Sequence, residues 1–353
     1  MEELLGEAFG GFHLDGELSR CGALAVAQAV AHPAVVGDQG GEFRRESLVS
    51  TTFYNTDAAL VTDFTRLSAS VIAAAVQSGG RTAEDVARET LARIAAYDAV
   101  QPQTWITRTP EADVLAQARA VDARVKAGEV LPLAGAPYAV KDNIDVGGLR
   151  TTAACPAFAY EARRSATVVE RLEAAGAIMV GKTNLDQFAT GLVGTRSPYG
   201  IPRNAIDAEY LPGGSSAGSA SAVAAGLCAF SLGTDTAGSG RVPAAFQELI
   251  GWKPTRGLLS NRGVVPACRS LDCISVFANC AADALLIADV VGKYDAADAF
   301  SREVTPAGRI DGSFRFGVPK VLDFAGDPDT PGLFAAAVEK MKAQGGTPVE
   351  VDQ

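Results

Sequence analysis

From residue 63 onward the apolar positions alternate between two periods. Leu67, Val71, Ile72 and Ala75 recur at helical spacing. Thr82-Ala83-Glu84-Asp85 has the form of a capping box and opens a helix through Tyr97, with Val86, Leu91 and Ile94 on its apolar side. Trp105-Ile106-Thr107 reads as a strand and Glu111 to Lys126 as another amphipathic helix. Beyond these the pattern predicts strands at Pro137–Val140, Ala177–Val180, Ala229–Leu232, Phe314–Val318 and Thr347–Val351. Helices are expected between them at Thr167–Ala175, Ser219–Ala225, Ala282–Val291 and Gly332–Ala343. Strands alternating with helices predict an α/β fold: a mixed, mostly parallel central sheet flanked by helices.

Residues 1–62 differ from the rest of the chain. They hold both histidines, His13 and His32, show weak periodicity, and include the loop-like Gly37-Asp38-Gln39-Gly40-Gly41. We read them as an N-terminal extension of unassigned role, and 63–353 as the main domain. A doubly wound sheet buries its strands between neighbours, yet the last strand expected here lies directly before Gln353. The expectation is a domain truncated at its C-terminus.

Composition narrows the function. A chain of 353 residues, 48% hydrophobic, can bury a large core, and its 20% of charged residues are evenly spread. A net charge of −10 argues against nucleic acid or an anionic membrane as partner, since both need clustered Lys and Arg. A small anionic substrate held by one or two local cations stays open. The start, MEELLGEAFGG, lacks the basic and apolar runs of a signal peptide. The most apolar window, Gly22 to Gly37, is too short to span a bilayer. The six cysteines (Cys21, Cys155, Cys228, Cys268, Cys273, Cys280) contain no C-x-x-C pair. Reduced thiols in a cytoplasmic protein are the expectation, with Cys155, Cys268 and Cys273 as buried small hydrophobes and no metal site. Both histidines lie in the first tenth of the chain, so a hydrolytic site further along cannot easily use one as its base.

Gly176-Ala-Ile-Met-Val-Gly181-Lys182-Thr183 satisfies the pattern of a phosphate-binding loop. Such a loop needs a strand before its first glycine and a turn whose N–H groups point inward. Here a helix comes first and the four intervening residues are apolar, so Gly176 is expected to end a helix and Gly181 a strand.

Two Gly/Ser clusters hold more promise: Leu211 to Ser221, and Gly233-Thr-Asp-Thr-Ala-Gly-Ser-Gly-Arg241. The apolar stretch between them, Ala222 to Leu232, argues against a flexible linker. Small residues beside buried elements let backbones approach closely and leave N–H groups open to a developing oxyanion. A serine in the same turn can act as nucleophile if something removes its proton. Without a nearby histidine, lysine is the remaining strong candidate, provided burial depresses its pKa. Lys141 fits, because it follows the apolar strand Tyr138-Ala-Val140.

Pro-Gly-Gly-Ser-Ser-Ala-Gly-Ser from Pro212, Gly-Thr-Asp-Thr-Ala-Gly-Ser from Gly233 and Ala-Val-Lys-Asp-Asn from Ala139 resemble the amidase signature family, over about Asp63 to Gln353. The resemblance implies a Ser–cisSer–Lys triad: Ser239 the nucleophile, Ser215 the bridging serine reached through a cis peptide from Gly214, and Lys141 the base. It implies an oxyanion hole of the backbone N–H groups of Thr236, Ala237, Gly238 and Ser239, with Ser216 supporting the relay by hydrogen bonding. Asp235 and Arg241 are expected to form a structural ion pair that holds the turn, and no cofactor is implied.

Two further stretches, Thr151 to Phe158 and Arg256 to Cys273, resemble the allophanate hydrolase branch of that family. Other members place Gln-x-Gly-Pro after the Ser-Leu-Asp at 270–272, where this chain has Cys-Ile-Ser-Val. The implied substrate is N-carboxyurea, a small linear amide made by a biotin-dependent urea carboxylase, and the product is ammonia. In that branch the Tyr and Arg that grip the substrate carboxylate lie further along than position 353. A general aliphatic amidase, the glutaminase subunit of a tRNA-dependent amidotransferase, and a non-catalytic fragment are the alternatives. A homodimer is one assembly left open.

Overall fold

The computed structural model describes residues 67–304 and 312–352. The 1–62 segment, with His13 and His32, lies outside the described residues. The described residues divide into two units, a larger one over 67–304 and a second over 312–352.

In the larger unit, helix α1 (Ala69–Gln77) buries Ala69, Ile72, Ala73 and Val76. Val71, expected on the apolar stripe, is 68% exposed and lies off the buried face. The buried residues sit at i, i+3, i+4 and i+7 on one helix face, and position 71 falls outside it. Helix α2 (Ala83–Asp98) starts at Thr82, whose hydroxyl accepts the N–H of Asp85 at 3.0 Å. Two more orphan N–H groups, of Ala83 and Glu84, go to the Asp122 carboxylate on helix α3 (Glu111–Lys126), so the cap also pins the two helices together.

Six strands form the central sheet: β1 (Trp105–Arg108), β2 (Pro137–Lys141), β5 (Ile178–Thr183), β6 (Phe230–Asp235), β7 (Ile250–Trp252) and β8 (Cys273–Ala278). Their order is β1-β5-β2-β6-β8-β7. The three middle strands β5, β2 and β6 run parallel, while β1, β8 and β7 join antiparallel. This is a mixed sheet with mostly parallel central strands flanked by helices. Every residue of β2, β5, β6 and β8 is buried, so these strands are covered on both faces of the sheet. Strands β3 (Arg150–Thr151) and β4 (Tyr160–Glu161) make a separate small hairpin. Helices α4 (Thr167–Ala174), α5 (Ala217–Ala224), α6 (Arg241–Phe246) and α7 (Ala281–Val291) complete the unit. All of α5 is buried, its Ala, Gly, Ser and Val side chains seated against β2, β5 and β6.

Strand β5 corrects one expectation. It continues through Gly181, Lys182 and Thr183 and does not end at the glycine. A Cβ at Gly181 would lie 2.9 Å from the Trp105 ring on β1, so the glycine is required by strand packing.

The second unit contains β9 (Phe314–Pro319), α8 (Thr330–Ala343) and β10 (Gly346–Val351). β10 pairs in parallel with β9, Gly346 opposite Phe314 through Val351 opposite Pro319, in a two-stranded sheet of its own. Among the described residues, no helix is long and apolar enough to cross a membrane.

Candidate active site

The parallel central strands bring their C-terminal ends to one edge of the sheet, where open α/β sheets bind ligands. Lys141 closes β2 and Asp235 closes β6. Lys141 is fully buried, and its Nζ donates to Ser215 Oγ at 2.7 Å and to Thr234 Oγ1 at 2.8 Å. Burial pulls the Lys141 amine down to about 7, against the partial restoring pull of Asp186, Asp235 and Asp272. Ser215 stands just before α5, joined to Gly214 by a cis peptide.

The turn after β6 winds around one carboxylate. Asp235, wholly buried, accepts the N–H groups of Gly238 (2.8 Å), Gly240 (3.1 Å) and Arg241 (3.0 Å). It also takes Nε and Nη2 of Arg241 at 2.9 and 3.0 Å. Burial alone would raise the Asp235 carboxyl, but these bonds hold it below its ordinary value. The turn sets Ser239, 5% exposed, with its hydroxyl 3.5 Å from the Gly191 carbonyl. The Ser239 carbonyl accepts the N–H of Ser216 at 3.2 Å. The Ser216 hydroxyl donates to the Thr234 carbonyl at 3.2 Å, so it braces the strand that carries Asp235. Among the described residues, no hydrogen bond joins Ser215 to Ser239.

Of the four N–H groups expected to face an oxyanion, that of Gly238 is already given to Asp235 and must be withdrawn from the set. Those of Thr236, Ala237 and Ser239 have no acceptor among the described residues. The Thr236 side chain donates to Asp272, which also accepts the N–H groups of Ala267 and Cys268, tying the turn to the loop that follows β7. Cys273 is buried as expected, but Cys155 and Cys268 are only half-buried. A cavity of about 380 Å³ is lined among others by Asp145, Tyr160, Arg262, Arg269 and Asp272, the last being the carboxylate that holds Thr236.

Three residues in the site escape the motif reading. Thr234 accepts from the lysine, Asp272 anchors the turn, and Asp186 gives its N–H to the Ser215 carbonyl at 3.0 Å. Thr234 lies inside the Gly-Thr-Asp-Thr motif, but nothing in a linear pattern tells which of the two threonines meets the amine.

A family model described as Amidase matches residues 85–353. The chain belongs to the amidase family. Within that family it is 51% identical over 251 residues to urea amidolyase of Saccharomyces cerevisiae, covering 70% of this chain and 14% of that protein. It is 44% identical over 260 residues to a glutamyl-tRNA(Gln) amidotransferase subunit of Symbiobacterium thermophilum, covering 72% and 50%. The solved structure of Kluyveromyces lactis allophanate hydrolase superposes with a TM-score of 0.74 at 45% identity, covering 82% of this chain and 48% of that one. The chain spans half or less of the length of these relatives.

Proposed function

We propose that this amidase-family chain hydrolyses a small linear amide, allophanate, using Lys141 as base, Ser215 as bridge and Ser239 as nucleophile. The observation that supports this most is a fully buried amine, pulled down to about 7, 2.7 Å from the Ser215 hydroxyl. Neutral Lys141 takes the Ser215 proton, and Ser215 takes that of Ser239 once the Ser239 hydroxyl turns from the Gly191 carbonyl. Ser239 then attacks the amide carbon, and the oxyanion is met by the N–H groups of Thr236, Ala237 and Ser239. The relay reverses to protonate departing ammonia, and water releases the acyl group. The Asp235–Arg241 pair keeps the turn in shape. A carboxylase that supplies N-carboxyurea is the functional neighbour this reading implies.

The likeness to amidotransferases supports a second reading, glutamine hydrolysis, and one experiment separates the two. Ammonia release is followed from allophanate, a simple aliphatic amide and glutamine. Turnover of allophanate above the other two is the expected result, and turnover of glutamine alone would reverse the assignment.

The reaction should depend on pH. Catalysis needs the neutral amine, whose pKa in the fold is about 7 against an ordinary 10.5. The kcat/KM of the free enzyme should rise about tenfold per pH unit up to near 7 and level off above it. Stability moves in the same direction. The folded amine releases its proton at lower pH than the unfolded chain, so the burial cost present below 7 is relieved as pH rises from 7 towards 10.5. A flat kcat/KM profile between about pH 5 and 8 would rule out this lysine as base.

A further inference from the structure

Asp186 is fully buried in the loop after β5, and no salt bridge answers its charge among the described residues. Its oxygens instead accept backbone N–H groups of the following loop, Oδ2 from Gly194 at 3.0 Å and Oδ1 from Arg196 at 2.8 Å. Through its own N–H it is also bonded to the Ser215 carbonyl. The loop it holds supplies both the Gly191 carbonyl that faces Ser239 and the Leu192 carbonyl that accepts the N–H of Gly214 at 2.7 Å. Two glycines press on the carboxylate. A Cβ at Gly191 would lie 2.5 Å from Oδ2, and one at Gly214 would collide with the same atom.

A buried carboxylate is costly to keep when nothing neutralises it. Backbone N–H groups alone can be satisfied by an uncharged side chain, so the charge calls for another account. Three carboxylates act on the buried Lys141: Asp186, Asp235 and Asp272. Asp235 is answered by Arg241, and Asp272 by two N–H groups and the Thr236 hydroxyl. Asp142, next in the chain to the lysine, is paired with Lys182. Asp186 acts on the amine most strongly of the three.

We propose that Asp186 is a positioning residue for the reaction, one carboxylate that fixes the loop facing Ser239, anchors Ser215, and sets the charge seen by Lys141. This rests on the Lys141–Ser215–Ser239 reading. Asp186→Asn removes the charge and one acceptor. We expect kcat to fall about 10- to 100-fold and the acid limb of kcat/KM to move to lower pH by roughly 1 unit. Gly191→Ala leaves the charge and displaces the carboxylate, and it should lower kcat while the limb stays in place. Melting curves accompany both variants. An unmoved limb in a folded Asp186→Asn protein overturns the proposal, as does an unchanged kcat in Gly191→Ala. Loss of cooperative melting in both also overturns it, because such a residue would serve the fold alone. Activity that survives Lys141→Ala would instead reject the base itself and leave the part of Asp186 without an object.

Discussion

Replacing Ser239 with Ala is expected to lower kcat by about 10⁴-fold or more, and Lys141→Ala by a similar factor, with the double variant losing no more than the worse single one. In the proposed mechanism the two residues act on one proton path. Without the nucleophile, the base has nothing to activate. Without the base, the Ser239 hydroxyl stays protonated and is a weak nucleophile. Residual turnover would come from the three open N–H groups of the turn and from substrate binding. Stability separates chemistry from misfolding. Ser239→Ala removes a single oxygen whose contact with the Gly191 carbonyl is 3.5 Å long, so the melting temperature should barely change. Lys141→Ala removes a fully buried amine and leaves a gap beside Ser215 and Thr234, so some loss of stability is expected there. Steady-state kinetics on allophanate with the three proteins, alongside melting curves, make the check. Additive losses in the double variant would mean that Ser239 and Lys141 serve different steps. A folded Ser239→Ala protein with parental activity would remove the nucleophile assignment altogether.

The sequence discloses the helices and the parallel strands because their apolar residues keep a clear period or a clear length. Glu111–Lys126 is delimited from pattern alone, and the Thr82 cap is legible because capping needs only local residues. Strand β8 is not legible in this way. Cys-Ile-Ser-Val-Phe-Ala is buried on both faces, shows no alternation, and owes its place to pairing with β6, remote from it in the chain. The short β7 and the six-residue α6 carry too few positions to establish a period. In the site, the two serines and the lysine stand out because their motifs are dense in small residues or follow an apolar strand. Asp186 does not, since its role is set by Gly191, Gly194 and Arg196 folding back onto it, a contact no spacing rule describes. The commitment of Gly238 to Asp235 is hidden for a similar reason. Four consecutive N–H groups look equivalent in sequence, but a φ of 129° at Gly238 turns that one inward to the carboxylate.

Lys182, the second lysine of the buried region, carries the other large effect. In a phosphate-binding loop it would reach out to a phosphate. Here it lies within β5, 0% exposed, with Nζ 3.1 Å from Asp142 Oδ1, 2.9 Å from the Arg150 carbonyl and 2.7 Å from Thr151 Oγ1. Burial pushes its amine below the ordinary lysine range, and the facing Asp142 works against that shift. Asp142 in turn accepts both the N–H and the hydroxyl of Thr152. The pair therefore fastens the Arg150–Thr152 segment to the ends of β2 and β5, next in the chain to Lys141. Breaking one half of a wholly buried pair leaves the other charge uncompensated. Lys182→Met should cost about 3–5 kcal/mol, a fall in melting temperature on the order of 10 °C. Methionine fills much of the lysine stem, so the loss reports the stranded carboxylate and not a cavity. Adding Asp142→Leu to Lys182→Met removes that charge and should recover a large part of the stability, because two matched apolar side chains need no desolvation. Thermal or denaturant unfolding of the three proteins decides it. If Lys182→Met melts with the parent, the ion pair contributes nothing to the fold. If the double variant is worse than the single, the cost lies in the lost bonds to Arg150 and Thr151 and not in the orphaned charge.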